Sequence, residues 1–153
     1  MTSSRALGRP RGYFFVGVYC PKAEVNVGTL WRSALQLGAM GIFTIGRRYK
    51  KQPSDTQNAS LHIPLYNYAD MDEFKMHRPV GAVLVGIEMG GRSLSGYVHP
   101  QNAIYLLGAE DNGLPKIVAD HCNHIVSLDS VGPNSFNVAV AGSIVMYHRV
   151  FGI

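Results

Sequence analysis

Three short segments of this 153-residue chain combine glycine with side chains able to hold or orient charge. The first, Asn26-Val27-Gly28-Thr29-Leu30-Trp31-Arg32, joins an amide to a guanidinium where a helical period begins. The second, Leu106-Leu107-Gly108-Ala109-Glu110-Asp111-Asn112-Gly113-Leu114-Pro115, sets the Glu110 carboxylate in a glycine-rich turn, where missing side chains let the backbone approach a flat ligand. The third, Ser135-Phe136-Asn137-Val138-Ala139-Val140-Ala141-Gly142, starts with an N-capping residue and continues small and apolar, which reads as a buried helix start. None of these contains the Gly-Lys-Ser/Thr of a phosphate loop or the GxGxxG of a dinucleotide fold, so a common nucleotide-phosphate site is not expected. His121, Cys122 and His124 do not make a complete metal-ligand set, which argues against a metal-dependent hydrolase; they suit the end of a helix and the start of a strand.

Such segments work only if regular elements hold them together. Tyr13 to Cys20, Ile42 to Ile45, Val80 to Ile87, Ala103 to Leu107 and His124 to Leu128 are apolar runs of strand length, and His62 to Tyr66 is a candidate for one more. Val27, Leu30, Trp31, Ala34 and Leu37 recur at three and four residues, predicting a helix from Asn26 that Gly38 and Gly41 close. Arg32 is expected to share its polar side with Asn26 and Thr29, holding a cation near the loop mouths. Asp70 to His77 reads as a short capped helix, Pro115 as a helix start, and Ser135 to about Phe151 as a long apolar helix with Ser135 as its N-cap. Strands alternating with helices predict an α/β domain with a mainly parallel sheet, in which ligands sit beyond the carboxyl ends of the strands.

At 46% hydrophobic residues the chain can bury a core within one domain, here residues 13–153, after a basic, Gly/Pro-containing arm over residues 1–12. No stretch is long and apolar enough for a membrane span, and Cys20 and Cys122 lack any metal or disulfide spacing, so a cytoplasmic protein with reduced thiols is expected. Charge is unevenly spread. Residues 1–51 carry nine Lys/Arg against Glu24 alone, a net of +8, and the remainder carries a net of −4. A phosphate-bearing partner on the surface formed by the first third would account for this, since each neutralised phosphate releases counterions.

Taken in order, the three segments resemble the three motifs of the SPOUT superfamily of RNA methyltransferases, in its TrmH/SpoU branch. Asn26 and Arg32 in NVGTLWRSALQLG match an Asn followed by a helix carrying Arg; LLGAEDNGLP matches a strand followed by Gly, Glu and Gly-Leu; SFNVAVAG matches Ser-x-Asn-Val-x-Val-Ala. The resemblance covers residues 13 to 151. It implies a knotted α/β fold with a C-terminal trefoil knot, a homodimer, S-adenosylmethionine as cofactor, tRNA or rRNA as partner, and neither metal nor membrane. It also implies methyl transfer to a ribose 2′-hydroxyl, with base methylation, or RNA binding without catalysis, as the alternatives. The cofactor would lie among Val85, Gly86, Ile87 and Glu88; Leu107, Gly108, Ala109, Glu110 and Gly113; and Ile125, Ser127, Leu128, Ser135 and Phe136. Arg32 carries over as catalytic, supported by Asn26, Glu110, Ser135 and Asn137. With no separate RNA-binding domain in sight, RNA phosphates would meet Arg5, Arg9, Arg11, Arg47, Arg48, Lys50 and Lys51.

Overall fold

The strands of this chain are apolar on both sides because the sheet they form is covered on both faces. A computed structural model describes residues 12–46, 62–110 and 113–152. Arg5, Arg9, Arg11, Arg47, Arg48, Lys50 and Lys51 lie outside the described residues, as do Asp111 and Asn112. The elements run β1 (Phe14–Tyr19), α1 (Glu24–Leu37), β2 (Gly41–Ile45), β3 (Leu65–Tyr68), α2 (Met71–His77), β4 (Val83–Ser93), β5 (Ala103–Leu107), α3 (Lys116–Ala119), β6 (His124–Ser127) and α4 (Val138–Phe151). All strand pairings are parallel, in the order β3-β2-β1-β5-β4-β6.

Alternate residues along each strand feed two cores. Phe14, Val16 and Val18 of β1 and Tyr105 and Leu107 of β5 pack with Leu30, Trp31 and Ala34 of α1 and Val145 and Met146 of α4. Ile104 and Leu106 point the other way and pack with Phe43, Leu84, Phe74 of α2 and Val118 of α3. The expected α/β class and parallel sheet are therefore present, while several boundaries move. Helix α1 starts at Glu24, which puts Asn26 inside its first turn. Strand β3 begins at Leu65 rather than His62, because Leu65 is the residue that pairs with Ile42 while the Ile63 carbonyl accepts the Trp31 indole N–H at 3.2 Å. Helix α4 begins at Val138, capped by Asn137 and not by Ser135: Asn137 Oδ1 accepts from the N–H groups of Ala139 and Val140 at 2.9 and 3.2 Å.

The largest departure is in β4, which continues six residues past Ile87 to Ser93. Ile87 and Arg92 both face Val126 of β6, so residues 88–91 leave the ladder as a bulge before pairing resumes. A bulge re-aims the side chains it carries. Here it turns Glu88, Met89 and Gly90 toward the carboxyl ends of the neighbouring strands, where they line a cleft.

The far end of α4 is fixed by a buried polar cluster that its apolar pattern does not announce. Arg149 is only 4% exposed; its Nη1 donates to the Pro100 carbonyl at 2.7 Å and its Nη2 to the Gln101 carbonyl at 2.7 Å, with Phe14 under the guanidinium at 4.9 Å. His99 joins the cluster through Tyr105 Oη (2.6 Å) and His148 Nδ1 (2.7 Å). Burial, then the neighbouring His148 and Arg149, lowers the His99 pKa from 6.5 to about 4. The folded chain thus keeps this imidazole neutral while the unfolded chain protonates it below about 6.5, so the stability it confers is present above that pH and is lost as pH falls toward 4. Denaturant unfolding of the wild-type chain should show its midpoint falling between pH 6.5 and 4. His99→Gln should lose about 1–2 kcal/mol at pH 7 through broken buried hydrogen bonds and show a flatter acid limb; an equally steep limb in the variant would exclude His99 as its source.

Candidate active site

The three sequence segments meet at one side chain. Asn26, in the first turn of α1, donates from Nδ2 to Glu110 Oε1 at 2.9 Å and accepts at Oδ1 from Asn137 Nδ2 at 3.1 Å. Asn137 in turn caps α4. Glu110 Oε2 also accepts from the Lys22 backbone N–H at 3.2 Å. One amide therefore ties the turn after β5 to the starts of α1 and α4. Burial by itself raises the Glu110 pKa, but hydrogen bonds from Asn26 and from the backbone N–H groups of Glu110, Lys22 and Ala23 outweigh it and hold the carboxyl below its ordinary value.

Beside this junction, beyond the carboxyl ends of β4, β5 and β6, lies a cleft of about 340 Å³. Its walls divide by chemistry. Ile87, Leu107, Leu128, Phe136, Val138 and Ala141 give apolar surface; Ser127, Ser130, Asn134 and Ser135 give neutral polar groups; Glu88 and Glu110 give carboxylates. Glu88 is anchored at both oxygens, Oε2 accepting from the Leu114 N–H at 2.6 Å and Oε1 from the Met89 N–H at 2.8 Å. The rim from Gly108 to Leu114 folds back on itself: a Cβ on Gly108 would lie 2.1 Å from the Gly113 carbonyl carbon, and one on Gly113, whose φ is +63°, would lie 2.2 Å from Glu88 Oε2. Only glycine permits backbone to lie this close to backbone and carboxylate.

The structure brings together in this cleft Ile87, Glu88, Leu107, Gly108, Ala109, Glu110, Gly113, Ser127, Leu128, Ser135 and Phe136 from the cofactor set expected on sequence. Val85, Gly86 and Ile125 do not line it. Val85 is fully buried, and Gly86 lies beneath Ile125, Cys122 and Leu114. Met89, Gly90, Ser130, Asn134, Val138 and Ala141 line it without having been expected; the first two arrive through the β4 bulge, which no periodicity signals. Arg32 is exposed on α1 and is not among the lining residues. No residue of α1 lines this cleft; Asn26 reaches its edge only through Glu110 and Asn137. Among the described residues no group of three or more His, Cys, Asp or Glu could hold a metal ion, and no helix is long and apolar enough to cross a membrane.

The model of the SpoU rRNA methylase family matches residues 13–147. The chain belongs to the SpoU rRNA methylase family. A relative from Archaeoglobus fulgidus named as an uncharacterized tRNA/rRNA methyltransferase is 27% identical over 128 residues, covering 80% of this chain and 57% of the relative. One from Mycolicibacterium gilvum with the same name is 26% identical over 79% of this chain and 41% of its own length. This SpoU-family chain thus spans about half the length of the curated relatives it matches. Among solved structures, the SpoU methyltransferase AviRb of Streptomyces viridochromogenes, in complex with AdoMet, superposes with a TM-score of 0.79 at 26% identity over 92% of this chain and 57% of that one.

The hydrogen bonds at Asn26 supply a test of the junction. Asn26→Ala should cost about 1–2 kcal/mol of unfolding free energy at pH 7, for two lost side-chain bonds. Asn26→Asp should cost more, because it sets a second carboxylate against Glu110, and should recover as acid protonates the pair. In the wild-type chain the depressed Glu110 pKa contributes stability that is present above about pH 4.5 and is lost as pH falls through the folded value. Chemical denaturation of the two variants from pH 7 to 4 checks this; an Asp variant as stable as wild type at pH 7 would remove Asn26 from the junction.

Proposed function

We propose that this SpoU-family chain transfers a methyl group from S-adenosylmethionine to the 2′-hydroxyl of a ribose in tRNA or rRNA. The observation that carries this reading is the Glu110–Asn26–Asn137 junction at the edge of a cleft with one apolar wall and two fixed carboxylates. The cleft's size falls in the range of small-ligand sites. Its residues fit the cofactor: an apolar slot between Leu107, Leu128, Phe136 and Val138 suits the adenine, and Glu88 and Glu110 suit a positive charge. When bound, S-adenosylmethionine supplies an electrophilic methyl group on its sulfonium. AviRb, crystallised with AdoMet, supports this choice of cofactor, and the trefoil knot implied by the sequence motifs belongs to the same proposal.

The chain's own residues would act mainly by positioning, which can remove several kcal/mol from a bimolecular barrier. Glu110 and Asn137 hold the two sides of the cleft through Asn26. Ser135, exposed at the cleft wall, would orient an acceptor ribose. A guanidinium is a poor base, which argues against that role for Arg32. Its charge would instead hold a phosphate and stabilise the oxygen as negative charge develops.

Self-association would serve that role. Helix α4 leaves Val140, Tyr147 and Phe151 between 44% and 58% exposed around a broad groove that Thr29 also lines. A second copy covering this groove would meet Arg32, which lies one helical turn from Thr29 on the same side of α1. The homodimer and the cytoplasmic setting are part of the proposal.

Incubation with labelled donor and bulk tRNA or rRNA, digestion to nucleosides and mass analysis should give a 2′-O-methylated nucleoside; a base-methylated product would replace the ribose reading with the base reading. Arg32→Ala should abolish transfer while leaving donor affinity within about twofold, and unchanged turnover would refute its role. Neutralising Arg47, Arg48, Lys50 and Lys51 together should weaken RNA binding and flatten the slope of log K on log salt by about three, if each contacts a phosphate.

A further inference from the structure

The cleft of this chain is acidic although the protein is basic. Glu88 and Glu110 are among its lining residues, and among the described residues no lysine or arginine lines it. The groups that hold the two carboxylates are neutral amides: the N–H groups of Leu114 and Met89 for Glu88, and Asn26 Nδ2 and the Lys22 N–H for Glu110. Amide dipoles fix a carboxylate in place without cancelling its net charge, and the apolar walls opposite limit screening by water. Both groups are therefore pre-set to attract a cation at no cost in reorganisation when it arrives.

We propose that Glu88 and Glu110 make this cleft select a cationic ligand over its neutral counterpart, so that the methyl donor binds more tightly than the demethylated product it becomes. The inference rests on reading the cleft as the donor site. Transfer breaks the bond from sulfur to the methyl carbon and forms one from that carbon to the acceptor oxygen. The electron pair of the broken bond stays on sulfur, the hydroxyl gives its proton to water, and the ligand loses one positive charge. Apart from the methyl group itself, nothing else in its outline changes. Discrimination at the sulfur can then draw on charge, and the cleft's two carboxylates supply it. At an effective dielectric near 20, a unit charge about 8 Å from one carboxylate gains an attraction worth about thirtyfold in an equilibrium constant, less after screening by salt. The device favours release of spent product after each turnover.

Calorimetric titration of the whole chain with S-adenosylmethionine, S-adenosylhomocysteine and sinefungin, whose amine carries a positive charge in place of the sulfonium, tests this directly. At low salt the two cationic ligands should bind about tenfold more tightly than S-adenosylhomocysteine. Glu88→Gln keeps an oxygen for the Leu114 N–H but removes the charge. It should cut the preference for both cations several-fold while leaving S-adenosylhomocysteine within about twofold. A variant that merely loosens the rim weakens all three ligands alike, and that result overturns the proposal. So does a wild-type chain that binds the neutral product as tightly as the donor. Failure of all three ligands to bind would overturn the cofactor reading, and this inference with it.

Discussion

Everything at the candidate site depends on the amide of Asn26. It is a side chain with one donor and one acceptor at fixed separation, and the structure uses both, the donor on Glu110 and the acceptor on Asn137. Aspartate could not replace it beside a carboxylate, and an aliphatic residue would leave Glu110 and Asn137 each short of a partner. The partners lie 84 and 111 residues away in sequence, so the junction closes only once the sheet has assembled. Fixing α1, the turn after β5 and the start of α4 relative to one another then costs no further chain entropy when a ligand arrives.

The site also separates two electrostatic tasks. The first third of the chain carries a net charge of +8, whereas the cleft is lined by two glutamates. At physiological salt, screening confines the field of exposed charges to roughly 8 Å. Arg32, exposed on α1 and outside the cleft, belongs to the first field by charge.

What could be read in the sequence follows from what burial does to a pattern. Both faces of the sheet are covered, so β1, β2 and β5 stand out as apolar runs, and the amphipathic period of α1 is equally plain. The β4 bulge was illegible because Glu88-Met89-Gly90-Gly91-Arg92-Ser93 has the composition of a loop, and only pairing with β6 makes it strand. The three site segments were recognisable together, by their order and separations, yet nothing local shows that Asn26 bonds to both of the others. The buried Arg149 went unseen as well: an arginine in the last turn of a helix normally suits the dipole and the solvent, and here carbonyls of a distant loop enclose it instead.

Helix α4 shows how tightly these demands are coupled. Its first turn is capped by Asn137, which also reaches Asn26; its middle is buried against α1, where Ser143 Oγ bonds to Ser33 Oγ at 2.8 Å; its last turn is clamped by Arg149. The helix cannot rotate to improve one contact without losing the others. Its remaining face, with Val140, Tyr147 and Phe151, is therefore held in a fixed orientation although no described residue covers it. Val138 and Ala141 line the cleft and Ala139 and Val140 the groove, so the two cavities share the helix's first turns and Leu128 and Phe136 stand in both walls. A body seated in the groove would brace Phe136 and Leu128 from behind, and through them the apolar side of the cleft, so that occupying one cavity would bear on the other.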